Sequence, residues 1–347
     1  MAYTTIKKPS DYFNTLLYSG NNTAQRQLTG VGFQPDLVWI KGRSGTYGAY
    51  SHFVFDGVRG VGKQIHTNLT NAESTNLNNL YSFDSDGFSL GQSGVDAVTN
   101  GSSTEFVSWN WLGANGTASN TQGDIASTVS ANTTSGFSIV SYTGTGANAT
   151  VGHGLGVAPK MVIIKDRDAS TDWVVYHNSL GATKFIEINT TVAAQTNNTA
   201  WNDTEPTSSV FSIGTGGIVN TSSNDYIAYC FAEKKGFSKF GSYTGNGNAD
   251  GTFVYTGFKP AFVMVKPTVT ADNWVMFDNK RLGYNPDNNF SYANKEFVEN
   301  DSDIIDFTSN GFKQRSSGGT SNRSGEPFIY MAFAEEPLVG DNPATAR

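Results

Sequence analysis

The stretch GVGFQPDLVWIKGR at 30–43 recurs as GLGVAPKMVIIKDR at 154–167 and as YTGFKPAFVMVKPT at 255–268. Spacing is kept better than identity. In each copy a proline stands 6 residues before a lysine, and the tyrosine of a Tyr-Ser/Thr-Gly turn stands 17 residues before that proline. The framework positions are therefore Tyr18, Pro35 and Lys41, then Tyr142, Pro159 and Lys165, then Tyr243, Pro260 and Lys266. Apolar closing segments begin at Phe106, Tyr226 and Phe328, which lie 88, 84 and 85 residues after the opening tyrosines. A constant internal period means one structural unit used three times.

The 347 residues thus divide into units of roughly 100 residues, each large enough for its own core. The expected boundaries are 1–115, 116–234 and 235–347. Residues 113–135, GANGTASNTQGDIASTVSANTTS, hold almost no large apolar side chain and read as a linker at the head of the second unit. The join at 234–236, Lys-Lys-Gly, is too short for free swivelling, so the second and third units are expected to pack together.

Within each unit the pattern is of short strands bounded by Gly, Asn and Asp, with no capped segment of helical period. Leu37, Val38, Trp39 and Ile40 are apolar on both strand faces, which marks a strand covered on both sides. Proline ahead of this run suits a strand entry, since it has no N–H for a ladder. The segment YSFDSDGFSLG at 81–91 reads as a hairpin turning at Asp86-Gly87. The predicted fold is all-β: three antiparallel sandwiches, jelly-roll-like or immunoglobulin-like, set in a row or in a pseudo-threefold cluster.

Charged residues make up only 15% of the chain, with a net charge of -7 and a pI near 5.1. That balance offers no electrostatic footprint for nucleic acid or an anionic membrane. Cys230 is the single cysteine and sits in the apolar run YIAYCF, where a buried thiol is expected. The opening MAYTTIKKPS has no apolar h-region and no run approaches 18 apolar residues, so neither a standard signal peptide nor membrane insertion is expected.

Candidate chemistry is sparse. Gly57 to Lys63 fits a phosphate-loop spacing, but Gln64 replaces the Ser or Thr that would hold Mg²⁺, and the matching places read NSLGATK at 178–184 and NKRLGYN at 279–285. A turn is the better reading. Asp84-Ser85-Asp86-Gly87 begins like a calcium loop but lacks the twelfth-position Glu. His52, His66, His153 and His177 show no ligand spacing. The pairs Asp166/Asp168 and Asp301/Asp303 lie in polar turns with no apolar pocket to raise one pKa. The recurring aromatics Trp39, Phe55, Trp109, Trp173, Tyr176, Trp274 and Phe277 read as core. No catalytic, metal or cofactor residues are assigned, and no enzyme activity is expected.

MAYTTIKKPSDYFNT, SYTGTG, SYTGNG, SHFVFDGVRGVGK, SFDSDGFSLG and FIYMAFAEEPLVG together resemble a family of repeat-containing, tail-fibre-like virion structural proteins of tailed bacteriophages, particularly those infecting marine bacteria. The likeness covers nearly the whole chain. It implies a virion location after synthesis in the host cytoplasm, partners among other virion proteins, an oligomeric state on the particle, and a host surface glycan or protein as ligand. A tail-fibre or tail-associated host-binding role is the first expectation, since the loops after the lysine strands differ between repeats. No anchor or stalk motif precedes the first repeat, which makes a capsid decoration protein the second; a carbohydrate-binding module without a virion role is the third.

Overall fold

The computed structural model describes residues 4–92, 98–282, 285, 289–339 and 343. The ends of the opening and closing motifs (Met1 to Tyr3, Gly340) and Gly283 and Tyr284 of the third loop lie outside the described residues.

The first unit contains β1 (Phe13–Ser19), β2 (Arg26–Thr29), β3 (Leu37–Gly42), β4 (Phe53–Asp56), β5 (Lys63–Gln64), β6 (Ser74–Thr75), β7 (Ser82–Asp84), β8 (Gly87–Leu90) and β9 (Glu105–Trp111). The second contains β10 (Ala118–Asn120), β11 (Ser127–Asn132), β12 (Phe137–Thr143), β13 (Ala149–Gly152), β14 (Met161–Asp166), β15 (Val174–His177), β16 (Lys184–Glu187), β17 (Gln195–Thr196), β18 (Val210–Ile213) and β19 (Asp225–Phe231). The third contains β20 (Ser238–Thr244), β21 (Phe253–Tyr255), β22 (Phe258–Pro267), β23 (Val275–Asp278), β24 (Phe290–Tyr292), β25 (Ile305–Thr308), β26 (Gly311–Gln314) and β27 (Pro327–Pro337). Among the described residues, helix is limited to single turns.

One strand order recurs in the three large sheets: β1-β9-β3-β4, β12-β19-β14-β15 and β20-β27-β22-β23. Every pairing among these strands is antiparallel. A smaller sheet faces each of them, β2-β8-β7, β13-β18 or β21-β26-β25. The lysine-ended strands β3, β14 and β22 are buried along their whole length. The reason lies in where their two faces go. Val38 and Ile40 point into the first unit's own sandwich core, whereas Leu37 and Trp39 point into a second core. That second core collects the outer faces of all three large sheets, including Trp109, Trp111, Phe137, Phe231, Phe262, Trp274 and Phe333. The units therefore sit around a common axis, and the space left there is an apolar void of about 20 Å³ lined by residues such as Trp39, Ile163 and Phe262. Burying each such aromatic contributes roughly 1.5–3 kcal/mol, and an isolated unit would leave its share in water.

The expected linker is not one. Residues 118–120 and 127–132 form β10 and β11, which extend the second unit's large sheet next to β12. Ile125 also bridges Val151 on β13. Small polar side chains hid a strand whose stabilisation comes largely from backbone pairing, with Ile125, Val129 and the small Ala131 supplying apolar contacts. The 81–91 hairpin turns on Ser85 and Asp86, with Gly87 already paired to Asp84 in β8. Pro35 and Pro159 precede their strands, but Pro260 lies inside β22 at a register irregularity that spares the ladder a missing donor.

The framework tyrosines hold equivalent places. Tyr18, Tyr142 and Tyr243 pair across to Phe106, Tyr226 and Phe328 and stack on them at 5.1, 5.1 and 5.0 Å between centroids. Their hydroxyls donate to the carbonyls of Thr99 (2.8 Å), Val219 (2.7 Å) and Ser321 (2.6 Å), each in the helical turn before the closing strand. The next residue in that turn is a buried asparagine, Asn100, Asn220 or Asn322, whose amide ties the turn to the loop after the tyrosine. Burial holds all three phenols well above the usual tyrosine range, so each remains a donor. Tyr243→Phe leaves the Ser321 carbonyl and the Gln314 amide without this partner and is expected to cost about 1–3 kcal/mol, read as a lowered urea midpoint.

Candidate functional site

The densest polar chemistry lies in the seams between units. Asp278 ends β23, and its Oδ1 accepts the backbone N–H groups of Lys280 (3.0 Å) and Arg281 (3.1 Å), so an Asx-type turn folds Arg281 back onto it. Arg281 then pairs with Asp278 Oδ2 at 2.7 Å and with Glu299 at 3.2 Å. From the first unit, Trp109 Nε1 donates to Asp278 Oδ2 (3.0 Å), and Arg43 grips Glu299 in a fork at 2.8 and 2.9 Å. The first–second seam repeats this set. Asp56 Oδ1 caps Val58 and Arg59, Arg59 pairs with Asp56 and Glu73, Tyr229 donates to Asp56 Oδ2 (2.7 Å), and Arg167 forks Glu73 at 3.0 and 3.1 Å. Burial alone would raise the Glu73 and Glu299 carboxyls, but their two arginines hold both below the ordinary value.

At the second–third seam the same positions are filled differently. His177 stands for the aspartate, Leu180 for the arginine beside it, Ala194 for the glutamate, Thr268 for the forking arginine and Met331 for the aromatic donor. The backbone bond is unchanged: Ala194 N–H donates to Thr268 O at 2.9 Å, as Glu299 does to Arg43 (2.9 Å) and Glu73 to Arg167 (2.8 Å). Leu180 and Ala194 pack on the shared core, and His177 Nε2 donates to Tyr330 O at 3.1 Å. Thus three heterologous contacts close a ring, two with a buried charge network and one without.

Two further groups follow the same threefold pattern. His52, Trp173 and Trp274 occupy one position, and each ring N–H donates to a carbonyl of the adjoining unit, Tyr292 (2.9 Å), His66 (2.9 Å) or Glu187 (2.8 Å). His52 Nδ1 accepts from Trp39 Nε1 (2.9 Å), so its Nε2 carries the proton, and burial with nearby Lys41 lowers its pKa well below the usual value. The framework lysines are fully buried. Lys41 Nζ donates to the carbonyls of Gly42 (2.7 Å), Gly48 and Glu296, Lys165 Nζ to Asp166 (2.6 Å) and Ala169 (3.1 Å), and Lys266 Nζ to Asp272 (2.6 Å) and Thr191 (3.1 Å). Burial, together with the Arg281 charge for Lys41, pulls Lys41 down to about 7; burial pulls Lys165 and Lys266 down to about 8.

The other candidates are held by protein donors and acceptors. Gly57 to Gly62 is a turn whose Arg59 is buried in the first–second seam. Asp84 accepts from Ser82 and Ser89, and Asp86 from the N–H groups of Gly30 and Gly32. Asp166 caps Asp168 and Ala169, while Asp168 accepts from Asp225 N–H; Asp301 and Asp303 are exposed. His153 and His177 lie buried with ring nitrogens bonded to backbone, and no group of three or more His, Cys, Asp or Glu converges among the described residues. Burial raises the Cys230 thiol. Trp39, Phe55, Trp109, Trp173, Tyr176, Trp274 and Phe277 are all core. Within the differing loops DGVRGVGK, NSLGATK and NKRLGYN, which suggested outward recognition, the residues Arg59, Leu180 and Arg281 serve the seams, because both arginines are buried and Leu180 packs inward.

Exposed aromatics lie elsewhere. Tyr50 and Phe297 stand exposed beside the first–third seam, next in the chain to the hydrogen-bonded Ser51 and Glu296, while Phe253 and Tyr255, 46% and 52% exposed, flank buried Val254 on the edge strand β21. The cross-strand register equates them with Gln27 and Thr29 on β2 and with Thr150 and Gly152 on β13. Tyr255 also lines a surface cleft with Glu233, Lys239 and Thr256.

The described residues form three such sandwiches around one apolar core, with buried charge networks in two of the seams and, on β21, an aromatic pair that the equivalent strands lack. The chain belongs to the family described as a domain of unknown function, DUF7483, whose model matches residues 8–337. No curated protein and no solved structure matches it.

Proposed function

We propose that this chain is a non-enzymatic surface protein of a tailed-bacteriophage particle, acting as a tail-fibre or tail-associated component that binds the host. The motif resemblance to tail-fibre-like virion proteins supports the particle. The observation that carries the binding role is the Phe253/Tyr255 pair, because two aromatics stand in water on one unit where the equivalent strands carry Gln, Thr or Gly. An exposed apolar pair on a sheet edge is an aggregation liability that a protein keeps for use. Capsid decoration is the second reading, favoured by the closed pseudo-threefold ring, a shape suited to a junction of three subunits. Gold-labelled antibody on purified particles, with binding of the free protein to host cells, separates the readings. Label at the tail with cell binding is expected; label spread over the head with no cell binding selects decoration; no label on the particle overturns both.

A further inference from the structure

We infer that the face of β21 and the cleft at its Tyr255 end form a binding site for a neutral polysaccharide chain. This rests on the host-binding reading and names its ligand class. Phe253 and Tyr255 are two residues apart on one strand, so their side chains leave the same face about 6–7 Å from each other. The strand is fixed by its ladder to β26 and by buried Val254 beneath, which makes the two rings a preformed platform. A pyranose ring presents an apolar C–H face that packs on an aromatic ring, and hydroxyls around its edge that need hydrogen-bonding partners. The surroundings supply such partners. Lys313, directly across from Phe253, pairs with Asp250, and Lys239 of the cleft lies 3.7 Å from Glu233. Lys235 also lines the cleft, so the charges about the rings are of both signs, Lys313, Lys239 and Lys235 with Asp250 and Glu233, and this mixed set of donors and acceptors, rather than a field of one sign, suits an uncharged polyol better than a phosphate, a uronate polymer or a basic peptide.

A protein partner or a second copy of this chain fits less well. A stable interface needs about 800 Å² from each side with an apolar centre, and two aromatic rings ringed by ion pairs do not provide it. The second unit shows the alternative treatment of the same edge. There the segment before β11 lies over β13, with Ile125 bridging Val151 and Asp124 bonded to Thr150, and no aromatic is present. The edge is covered where it carries Thr150 and Gly152 and bare where it carries Phe253 and Tyr255.

The test is affinity electrophoresis of the full chain in gels containing hydroxyethyl cellulose, dextran or galactomannan, with alginate as the anionic arm. Wild type is compared with Phe253→Gln/Tyr255→Thr, which installs the first unit's own residues, and with Gln27→Ala/Thr29→Ala as the matched control. Both doubles change exposed side chains, and equal melting temperatures establish that they fold. Retardation by at least one neutral polymer, weakened at least tenfold in Phe253→Gln/Tyr255→Thr and kept in the control, is expected. No retardation by any neutral polymer, retardation by alginate alone, retardation untouched by the substitutions, or a wild-type dimer that the substitutions convert to monomer each overturns the site. Particle labelling is read independently: polymer binding by a protein absent from the particle leaves a carbohydrate-binding module and removes only the virion reading.

Discussion

Asp278→Ala is expected to destabilise the protein by about 3–5 kcal/mol, more than any change at an exposed position. The substitution removes the acceptor for Trp109 Nε1 and the closest counter-charge of Arg281, whose side chain has no solvent exposure. A buried guanidinium left short of an acceptor carries its desolvation cost uncompensated. The second–third seam shows that the ring does not need the charges at all, since His177, Leu180, Ala194 and Thr268 fill the same places without an ionic network. Copying the charged positions of that seam into the first–third one, by Arg43→Thr, Asp278→His, Arg281→Leu and Glu299→Ala together, removes all four charged side chains of the network at once and leaves neutral donors, Trp109 Nε1 and Asn289 Nδ2, to lose their acceptors. The fourfold variant is expected within about 1–3 kcal/mol of wild type. Calorimetric melting gives the order: wild type highest, the copied seam slightly below, Asp278→Ala well below. A copied seam that melts at or below Asp278→Ala would show the two kinds of seam are not interchangeable.

Stability is also expected to climb with pH over a range where most proteins are flat or declining. Lys41, with a folded-state pKa of about 7 against 10.5 unfolded, binds no proton in the folded chain over an interval where the unfolded chain does. Lys165 and Lys266, at about 8, behave alike from that pH upward. Where the unfolded state holds more protons, stability rises with pH; below the folded values both states are protonated and the full penalty of three buried ammonium groups is present. Above pH 10 the sign reverses, because the unfolded chain's tyrosines ionise while burial keeps Tyr18, Tyr142 and Tyr243 protonated. A tenfold difference in proton affinity between the folded and unfolded chain is worth about 1.4 kcal/mol, and carbonyl acceptors around every Nζ offset part of the penalty, so a gain on the order of 2–4 kcal/mol between pH 7 and 9.5 is expected. Urea unfolding across that interval measures it. In Lys41→Met the absolute stability falls, since the Gly42, Gly48 and Glu296 carbonyls lose their donor, but the slope with pH should drop by a third or more. A flat wild-type profile, or a slope unchanged in Lys41→Met, would remove the lysines as its cause.

Much of this molecule was written in its sequence. The 17- and 6-residue spacings of Tyr, Pro and Lys set three copies of one strand order, because a repeated local pattern meets the same backbone constraints each time. The doubly apolar run Leu37 to Ile40 already required cover on both faces. What the sequence left open was the neighbour. Apolar periodicity records that a side chain is buried but not whether its own small sheet or another unit buries it, so the ring around a common core, the pairing of Asp278 with Trp109 and Arg281 with Glu299, and the apolar third seam belong to tertiary structure alone. The same limit hid the two ends of the exposure scale. Residues 118–132 looked like linker because their stabilisation is largely backbone pairing, which has no side-chain signature. Phe253-Val254-Tyr255 reads as one apolar run, and only its place at a sheet edge decides that the first and third point into water while the second is buried.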